Sequence, residues 1–434
     1  MKKIILGFAL CLLATLVHSK DLYVDASLGD DSLTRANNAA GTPWATIGRA
    51  VWGSTSRTNP NANEAAQAGD VVIVNAGTYN TTAGTGERYY PIWNPVNSGV
   101  EGSPIIIRAE GDVYLQSNTI SGEPIIGTFN KSYIVWDGFI LDESNITTTA
   151  DTGPLVVWDS NNITIQKYDN LSIATPWNDN HNSIRIERSS NSMIYNNTIS
   201  GNRNGGDNRN GSAVMLYYSD NIIIENNEIF DSSAGVFVKG ANDGPVIIRN
   251  NYLHDLTHEG IALGGIGTDN AQNGAQIFQN IVHNVQSGIT FIGYDSVSPA
   301  NVNVYNNTFN NCSNGGIFLR PNTDGYLNIN IFNNIISSST RGIQGEDITD
   351  VSNISFSYNL YYDIITHART TSTNRTFSYW TETLGKDTVG STINVDPLFI
   401  DAANNNYKLV DGSAALTAGD SGQAGRCFIL QVMK

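Results

Sequence analysis

The residues best equipped for chemistry in this 434-residue chain sit in three short segments, "IRIER" at 184–188, "VMLYY" at 214–218 and "VFVKG" at 236–240. Their first and third positions are apolar, the period-two pattern of a strand with one buried face. Superposed, their second positions carry Arg185, Met215 and Phe237, and their fourth positions carry Glu187, Tyr217 and Lys239. On neighbouring strands the members of each column would stand about 5 Å apart. A lysine, a tyrosine and an arginine at that spacing suit the removal of a proton next to a carboxylate: the amine as base, the phenol as acid, the guanidinium as counter-charge. The reaction that uses all three is β-elimination on a uronic-acid polymer. Lys239 is then the base, its pKa lowered by partial burial and by arginine neighbours. Tyr217 is the acid, and Arg185, or a calcium held by Asp and Asn oxygens, neutralises the sugar carboxylate.

Further candidates lie close by in sequence. "LHDLTHEG" at 253–260 supplies His254, His258 and Glu259, and the polar loop "GNRNGGDNRNG" at 201–211 contains Asp207. His258 is a second catalytic candidate, and Asp207 and Glu259 are candidate calcium ligands. Glu187, Tyr218, Phe237, His254, Tyr294 and Arg320 are candidate substrate contacts, the aromatic ones as stacking surfaces for sugar rings. Arg320 falls three strands beyond Lys239, about 14 Å away by strand spacing, so it would hold a distant sugar unit. Each has a plainer reading: Lys239 and Glu187 as cross-strand charges, and the two histidines as turn residues bonding backbone carbonyls.

The elements that would position these residues follow from internal repetition. "MIYNNTI", "IIENNEI", "IIRNNYL", "FQNIV", "VYNNTF", "IFNNII" and "SYNLYY" align one asparagine at 197, 227, 251, 280, 307, 334 and 359, at intervals of 30, 24, 29, 27, 27 and 25 residues. Weaker echoes reach back through "SYIVWDGFIL" at 132–141 and "SPIIIRAEGDVYL" at 103–115. Each repeat holds short β-branched runs broken by Gly, Asn, Asp and Ser, with no helical period. Such a unit is one coil of a parallel β-solenoid, in which the repeated asparagines stack as an internal amide ladder. "PWATIGRAVWG" at 43–53 has apolar residues at helical spacing and reads as a capping helix over the first coil, "AGDVVIVNAGTY" at 68–79. The expected layout is a signal peptide over 1–19 and one β-helix domain over 20–434, with a cap over 21–67, coils over 68–362 and a C-terminal coil and cap over 363–434.

Composition bounds the setting. A net charge of −16 with only 15% charged residues and no basic run excludes a nucleic-acid partner. Lys2 and Lys3 precede the apolar run from Ile4 to Val17, and Val17-His18-Ser19 offers a cleavage site before Lys20, so export to the cell surface, periplasm or exterior is expected. Leu10 before Cys11 is too large for a lipoprotein site, and no later segment is apolar enough to span a membrane. Cys312 and Cys427 allow either one disulfide or a buried free thiol at Cys312. The expected state is a monomer with a polysaccharide partner.

"DLYVDASLGDDS", "GTPWATIGRAV", "AGDVVIVNAGTY", "SPIIIRAEG", the "NN-x-I" coils and the closing "DPLFIDAANNNYKL" resemble the secreted right-handed parallel β-helix proteins of the pectin-lyase-like superfamily, over roughly residues 21–415. The resemblance implies an all-β, single-stranded right-handed solenoid. It leaves the activity open, because that superfamily holds lyases, hydrolases, epimerases, esterases and members without chemistry. "VFVKG" followed by "HEGIALGG" is similar in placement to the catalytic-lysine segment of the chondroitinase-B and alginate-lyase family. That family carries acidic calcium ligands where this chain has Ser232, Ser233 and Ala234, and an arginine where it has Leu263 and Gly264. "PNTDG" at 321–325 resembles one hydrolase motif of the polygalacturonases, but its companion segments are missing, so Asp324 reads as a turn residue. Two classes of function therefore stand: a lyase of acidic polysaccharide, and a non-catalytic β-helix that binds glycan or serves as an adhesive scaffold.

Overall fold

The computed structural model describes residues 19–81, 89–117, 123–145, 153–170, 180–200, 209–240, 244–264, 273–293, 298–320, 327–346, 351–417 and 419. Residues 1–18 of the proposed signal peptide, Asp207, Tyr294, Asp324 and Cys427 lie outside them.

Parallel pairing starts at the first strand. Asp21–Val24 pairs with Val71–Asn80, which pairs with Ile105–Gln116 and then with Ser132–Asp142, so the first residues of the expected cap already form a rung. From there each coil adds strands to three ladders. One runs through Asn161–Gln166, Met193–Tyr195, Ile223–Glu225 and Ile247–Arg249 to Ile354–Ser357. A second runs through Thr198–Ser200, Glu228–Phe230 and Tyr252–His254. The third carries the candidate site: Ile126–Phe129, Leu155–Trp158, Ile184–Glu187, Ser212–Tyr217, Ala234–Lys239 and Glu259–Gly264, continuing into Ile281–Ile292 and Thr308–Arg320.

The alternation read from sequence is obeyed. Ile184, Ile186, Val214, Leu216, Val236, Val238, Ile261 and Leu263 all point inward and are fully buried. A register slip of one residue would turn every one of them to water, which pins the outward columns as firmly as the inward ones.

The aligned asparagines form the expected ladder. Nδ2 of each donates to Oδ1 of the next, at 2.8 Å from Asn197 to Asn227, 2.9 Å to Asn251, 3.0 Å to Asn280, 2.9 Å to Asn307, 3.0 Å to Asn334 and 3.1 Å to Asn359. The residue before each takes the left-handed conformation: Asn196, Asn226, Asn250, Gln279, Asn306, Asn333 and Tyr358, with φ between 54° and 57°. The first Asn of each "NN" pair therefore makes the corner, where a short amide side chain tolerates positive φ, and the second makes the ladder. The ladder ends on an acid: Asn359 Nδ2 donates to Asp387 Oδ1 at 3.0 Å, and Tyr361, Trp380 and Ser391 donate to the same carboxylate.

The N-terminal cap is shorter than its apolar spacing suggests. The helix spans Ile47–Trp52, opened by the Thr46 hydroxyl accepting from Arg49 N–H and closed by Gly53 at φ 70°. Its six residues are all buried over the first coils. At the other end Thr392–Ile393, within the segment expected to hold the C-terminal coil, pairs with Leu360–Tyr361. The closing hairpin, Phe399–Asp401 with Asn406–Leu409, folds back over the second ladder. There Tyr407 packs against Tyr252 and Ile281 and donates to Asn310 Oδ1 at 3.2 Å. Cys312 is a buried free thiol whose pKa burial pushes up to about 12.

The C-terminal core also holds His367, packed edge-on against Tyr361, Phe377 and Trp380, with neither ring nitrogen hydrogen-bonded among the described residues. Burial drives its pKa from 6.5 down to about 4. A depressed histidine gives full stability above its unfolded pKa and loses it as pH falls through the folded one. The thermal midpoint should drop between pH 6.5 and 4, with a cost at the acid end of roughly 3 kcal/mol from His367 at about 1.4 kcal/mol per pKa unit. His367→Phe should flatten the acid side of the profile; an unchanged slope would remove His367 as its cause. A smaller slope should survive in the variant, because burial and the neighbouring His254 also push His283 down to about 4.

Candidate functional site

The third ladder brings Glu187, Tyr217 and Lys239 onto successive rungs, because Glu187 pairs with Tyr217 and Tyr217 with Lys239. Arg185, Met215, Phe237 and Ala262 form the adjacent column. Both columns match the alignment made from sequence.

Phe237 is 5% exposed and packs with Met215, Ala262 and Ile292, so it forms the apolar floor rather than a stacking platform. Lys239 rises from that floor with Nζ 5.7 Å from the Phe237 ring centre and 5.8 Å from that of Tyr217. Its ammonium donates to Asn210 Oδ1 at 3.0 Å. Burial first, and then the positive charge of Arg185, lower its pKa below 10.5. The room for the amine comes from Gly264 on the next rung, where a Cβ would stand 3.3 Å from the Phe237 ring.

Arg185 is nearly buried and is held by Glu187, with Nε and one terminal nitrogen 2.8 and 2.7 Å from Oε2. Its other terminal nitrogen reaches Asn182 Oδ1 at 3.4 Å, and its guanidinium lies 5.3 Å from the Tyr217 ring centre. Glu187 therefore meets Arg185 rather than sugar; burial raises its pKa while Arg185 works in the other direction. Tyr217 meets Tyr218 edge to face at 4.7 Å, and burial, then Tyr218 and Glu187, raise its pKa. Tyr218 is the left-handed corner residue at φ 50°, its ring lying over Gly240. Arg320 stands three rungs beyond Lys239 through Gly264 and Ile292, and binds Glu346 at 2.6 Å.

The two histidines belong elsewhere. His254 lies on the second ladder, stacked between Phe230 and His283 at 5.1 and 5.2 Å, its ring nitrogens facing Asp255 at 2.8 Å and Glu228 at 3.4 Å. Burial opposes its protonation most strongly, but the two carboxylates together raise its pKa. His258 sits in the turn that enters Glu259–Gly264, its N–H bonded to Ser233 O at 2.8 Å and its Nδ1 3.2 Å from Thr257 Oγ1. Glu259 begins that strand and is fully buried. Lys239 pairs with Gly264 at the other end of the strand, about 17 Å away at the usual rise per residue. Sequence proximity grouped these residues, and the path of the coil separates them. Among the described residues no three His, Cys, Asp or Glu side chains converge as a metal site.

Sequence reading missed five contributors. Asn182 and Asn210 link the halves of the site, Asn182 Nδ2 donating to Asn210 O at 2.7 Å while Asn210 receives Lys239. They resemble any turn asparagine and gave no signal. Trp158 was accessible, because extending the strand alignment back to "LVVWD" places it opposite Glu187. Tyr89 stacks on it at 4.0 Å and Arg188 caps it at 4.5 Å, building an aromatic and basic wall one coil before the site.

Residues 138–301 match the family model "Right handed beta helix region". Among solved structures, pectate lyase Pel9A aligns over 93% of this chain and 92% of its own, at 16% identity and a TM-score of 0.57. The chain folds as a right-handed parallel β-helix. A rhamnogalacturonan lyase aligns with this β-helix over 91% of it and 95% of the lyase, at 16% identity and a TM-score of 0.50. PfbA, a surface adhesin of Streptococcus pneumoniae, aligns over 67% of the β-helix and 77% of the adhesin, at 12% identity and a TM-score of 0.50. Comparison with curated protein sequences gives no significant match.

Proposed function

We propose that this β-helix is an exported, monomeric protein that cleaves an acidic, uronate-containing polysaccharide by β-elimination. The observation that carries the reading is Lys239: a half-buried amine of lowered pKa, aimed by Asn210 and placed one rung from a tyrosine. The neutral amine takes the proton α to the sugar carboxylate, the electron pair of that C–H bond forms the new C=C bond, and the glycosidic C–O bond breaks. Tyr217 gives its proton to the departing oxygen. The likeness to a pectate lyase and a rhamnogalacturonan lyase supports the substrate class.

Neutralising the substrate carboxylate is the demanding step, since Glu187 already takes up much of the charge of Arg185. Added calcium would supply it, with Asp207 as the proposed ligand; Glu259, buried at the far end of its strand from Gly264, is too distant from Lys239 to hold it there. Incubation with polygalacturonate, rhamnogalacturonan, alginate and chondroitin, with and without calcium, should give unsaturated products that absorb in the ultraviolet on at least one substrate. The rate should rise with pH along a limb set by Lys239, at a pH below the ordinary lysine value of 10.5. A limb at that ordinary value or above it would remove Lys239 as the base.

The Arg185–Glu187 pair and the net charge of −16 favour a second reading, a non-catalytic glycan-binding or adhesive scaffold. Silence on every polyuronate, together with retention of the protein on one of them, would select it.

A further inference from the structure

A second concentration of charge lies on the same face as Lys239, toward the C-terminal end of the third ladder. There Ile317 pairs with Ile343, and Phe318, Gln344 and Arg369 form one outward column. Two residues back from Ile317 and Ile343, Gly315 and Arg341 fall in a second column. Gly315 shows how close the two columns run: a Cβ placed on it would stand 3.3 Å from Cβ of Gln344, one coil further on. Arg341 and Arg369 repeat that relation one coil later, so their stems leave the sheet side by side. The crowding shows in the charge, since burial first and then the positive charge of Arg369 lower the pKa of Arg341.

Both arginines are half-buried, and neither Nε has a hydrogen-bond partner among the described residues. One terminal nitrogen of Arg341 donates to Asn314 O and Oδ1 at 3.1 and 3.2 Å, which are neutral acceptors. Gln344, three residues on from Arg341 and paired with Arg369, is 7% exposed. Its Nε2 donates to Gly345 O at 3.3 Å, and its Oε1 has no partner among the described residues. On the same coil Glu346 is taken by Arg320, whose guanidinium lies 5.7 Å from the ring centre of Phe318.

We propose that Arg341 and Arg369 together bind a carboxylate of an acidic polysaccharide, with Gln344 Oε1 accepting from a neighbouring sugar hydroxyl and Phe318 as the apolar floor. Two like charges held side by side and partly out of water raise the free energy of the empty site, and an anion between them lowers it. The planar fork of a guanidinium also matches a carboxylate better than an ammonium does. The net charge of −16 repels a polyanion at long range, so a local arginine pair is what gives such a chain a place to dock. Arg369 stands five rungs beyond Phe237 on the strand of Lys239, about 24 Å along the axis, so this is a holding site separate from the Lys239 groove. A unit held there raises the local concentration of the rest of its chain along the face. Binding needs no chemistry at Lys239, so the proposal does not rest on the lyase reading.

Native gels cast with polygalacturonate or alginate, each beside its esterified form, test the site on Lys239→Ala protein, which should leave the matrix uncut. At least one of the two acidic polymers should retard the protein, and its esterified form should not. Arg341→Gln and Arg369→Gln should each weaken the retardation roughly tenfold, the worth of one charged hydrogen-bonded contact. Arg249→Gln, the same change of charge on the first ladder, should leave it unchanged. Thermal melts establish that the variants fold, and with two site variants one misfolded protein does not decide the outcome. Free migration in both acidic polymers, equal retardation by an esterified one, or a loss in Arg249→Gln as large as in the site variants overturns the proposal. Product formation is read separately on the parent protein, so its absence would end the lyase reading and leave this site standing.

Discussion

Replacing Lys239 by alanine should abolish polysaccharide cleavage while leaving the thermal midpoint within about a degree of the parent. Among the described residues the amine makes one side-chain hydrogen bond, to Asn210, and the stem lies over Phe237 without entering the core. Removing a general base of this kind costs about 10²–10⁴ in rate, and no neighbour can stand in: both histidines are displaced from the groove and Tyr217 has a raised pKa. Lys239→Arg should be equally inactive, because a guanidinium does not give up its proton in this range. Product formation followed in the ultraviolet at several pH values reads both variants. Activity in Lys239→Ala within about threefold of the parent would place the base elsewhere even if the reaction class were right.

Asn280→Ala should be severely destabilising. Its Nδ2 donates to Ile248 O, Phe278 O and Asn307 Oδ1, and its Oδ1 accepts from both N and Nδ2 of Asn251. The residue is fully buried, so the groups left behind have no water to turn to. A buried polar group stripped of its partner costs about 1–3 kcal/mol, and several are stripped together, so a loss of roughly 3–5 kcal/mol is expected. Chemical denaturation of the variant beside Asn284→Ala, an exposed corner asparagine, measures the difference. Equal midpoints for the two would mean that the amide ladder adds nothing to stability.

Much of the fold was legible because solenoid geometry repeats. A single alignment of seven asparagines gave the coil period, and the apolar alternation of "VFVKG" and its neighbours gave the register that places Glu187, Tyr217 and Lys239 together. What escaped was set by tertiary routing. His254 and His258 are four residues apart in sequence, but one faces out of the second ladder and the other enters the third. Glu187 and Arg185 were assigned separate duties on columns of their own, yet two residues apart on one strand they lie on the same face and satisfy each other. The loop at 201–211 was singled out for Asp207, but the role of its Asn210 was not, because that role depends on a turn folding back over the sheet, which no period encodes. The helix bounds escaped for a related reason: apolar spacing marked the segment 43–53, while Thr46 and Gly53 determine where the helix can start and stop.

The acid at the end of the asparagine ladder gives the molecule a direction. Every amide in the row donates toward the C-terminus, and Asp387, an acceptor with nothing to donate when ionised, is the only kind of residue that can receive the last bond without asking for another. The ladder behaves as a sentence with a full stop. A duplicated coil inserted upstream would find a donor behind it and an acceptor ahead of it, whereas a coil added beyond Asp387 would meet neither. Such β-helices can therefore lengthen from the middle by whole coils while both ends stay closed.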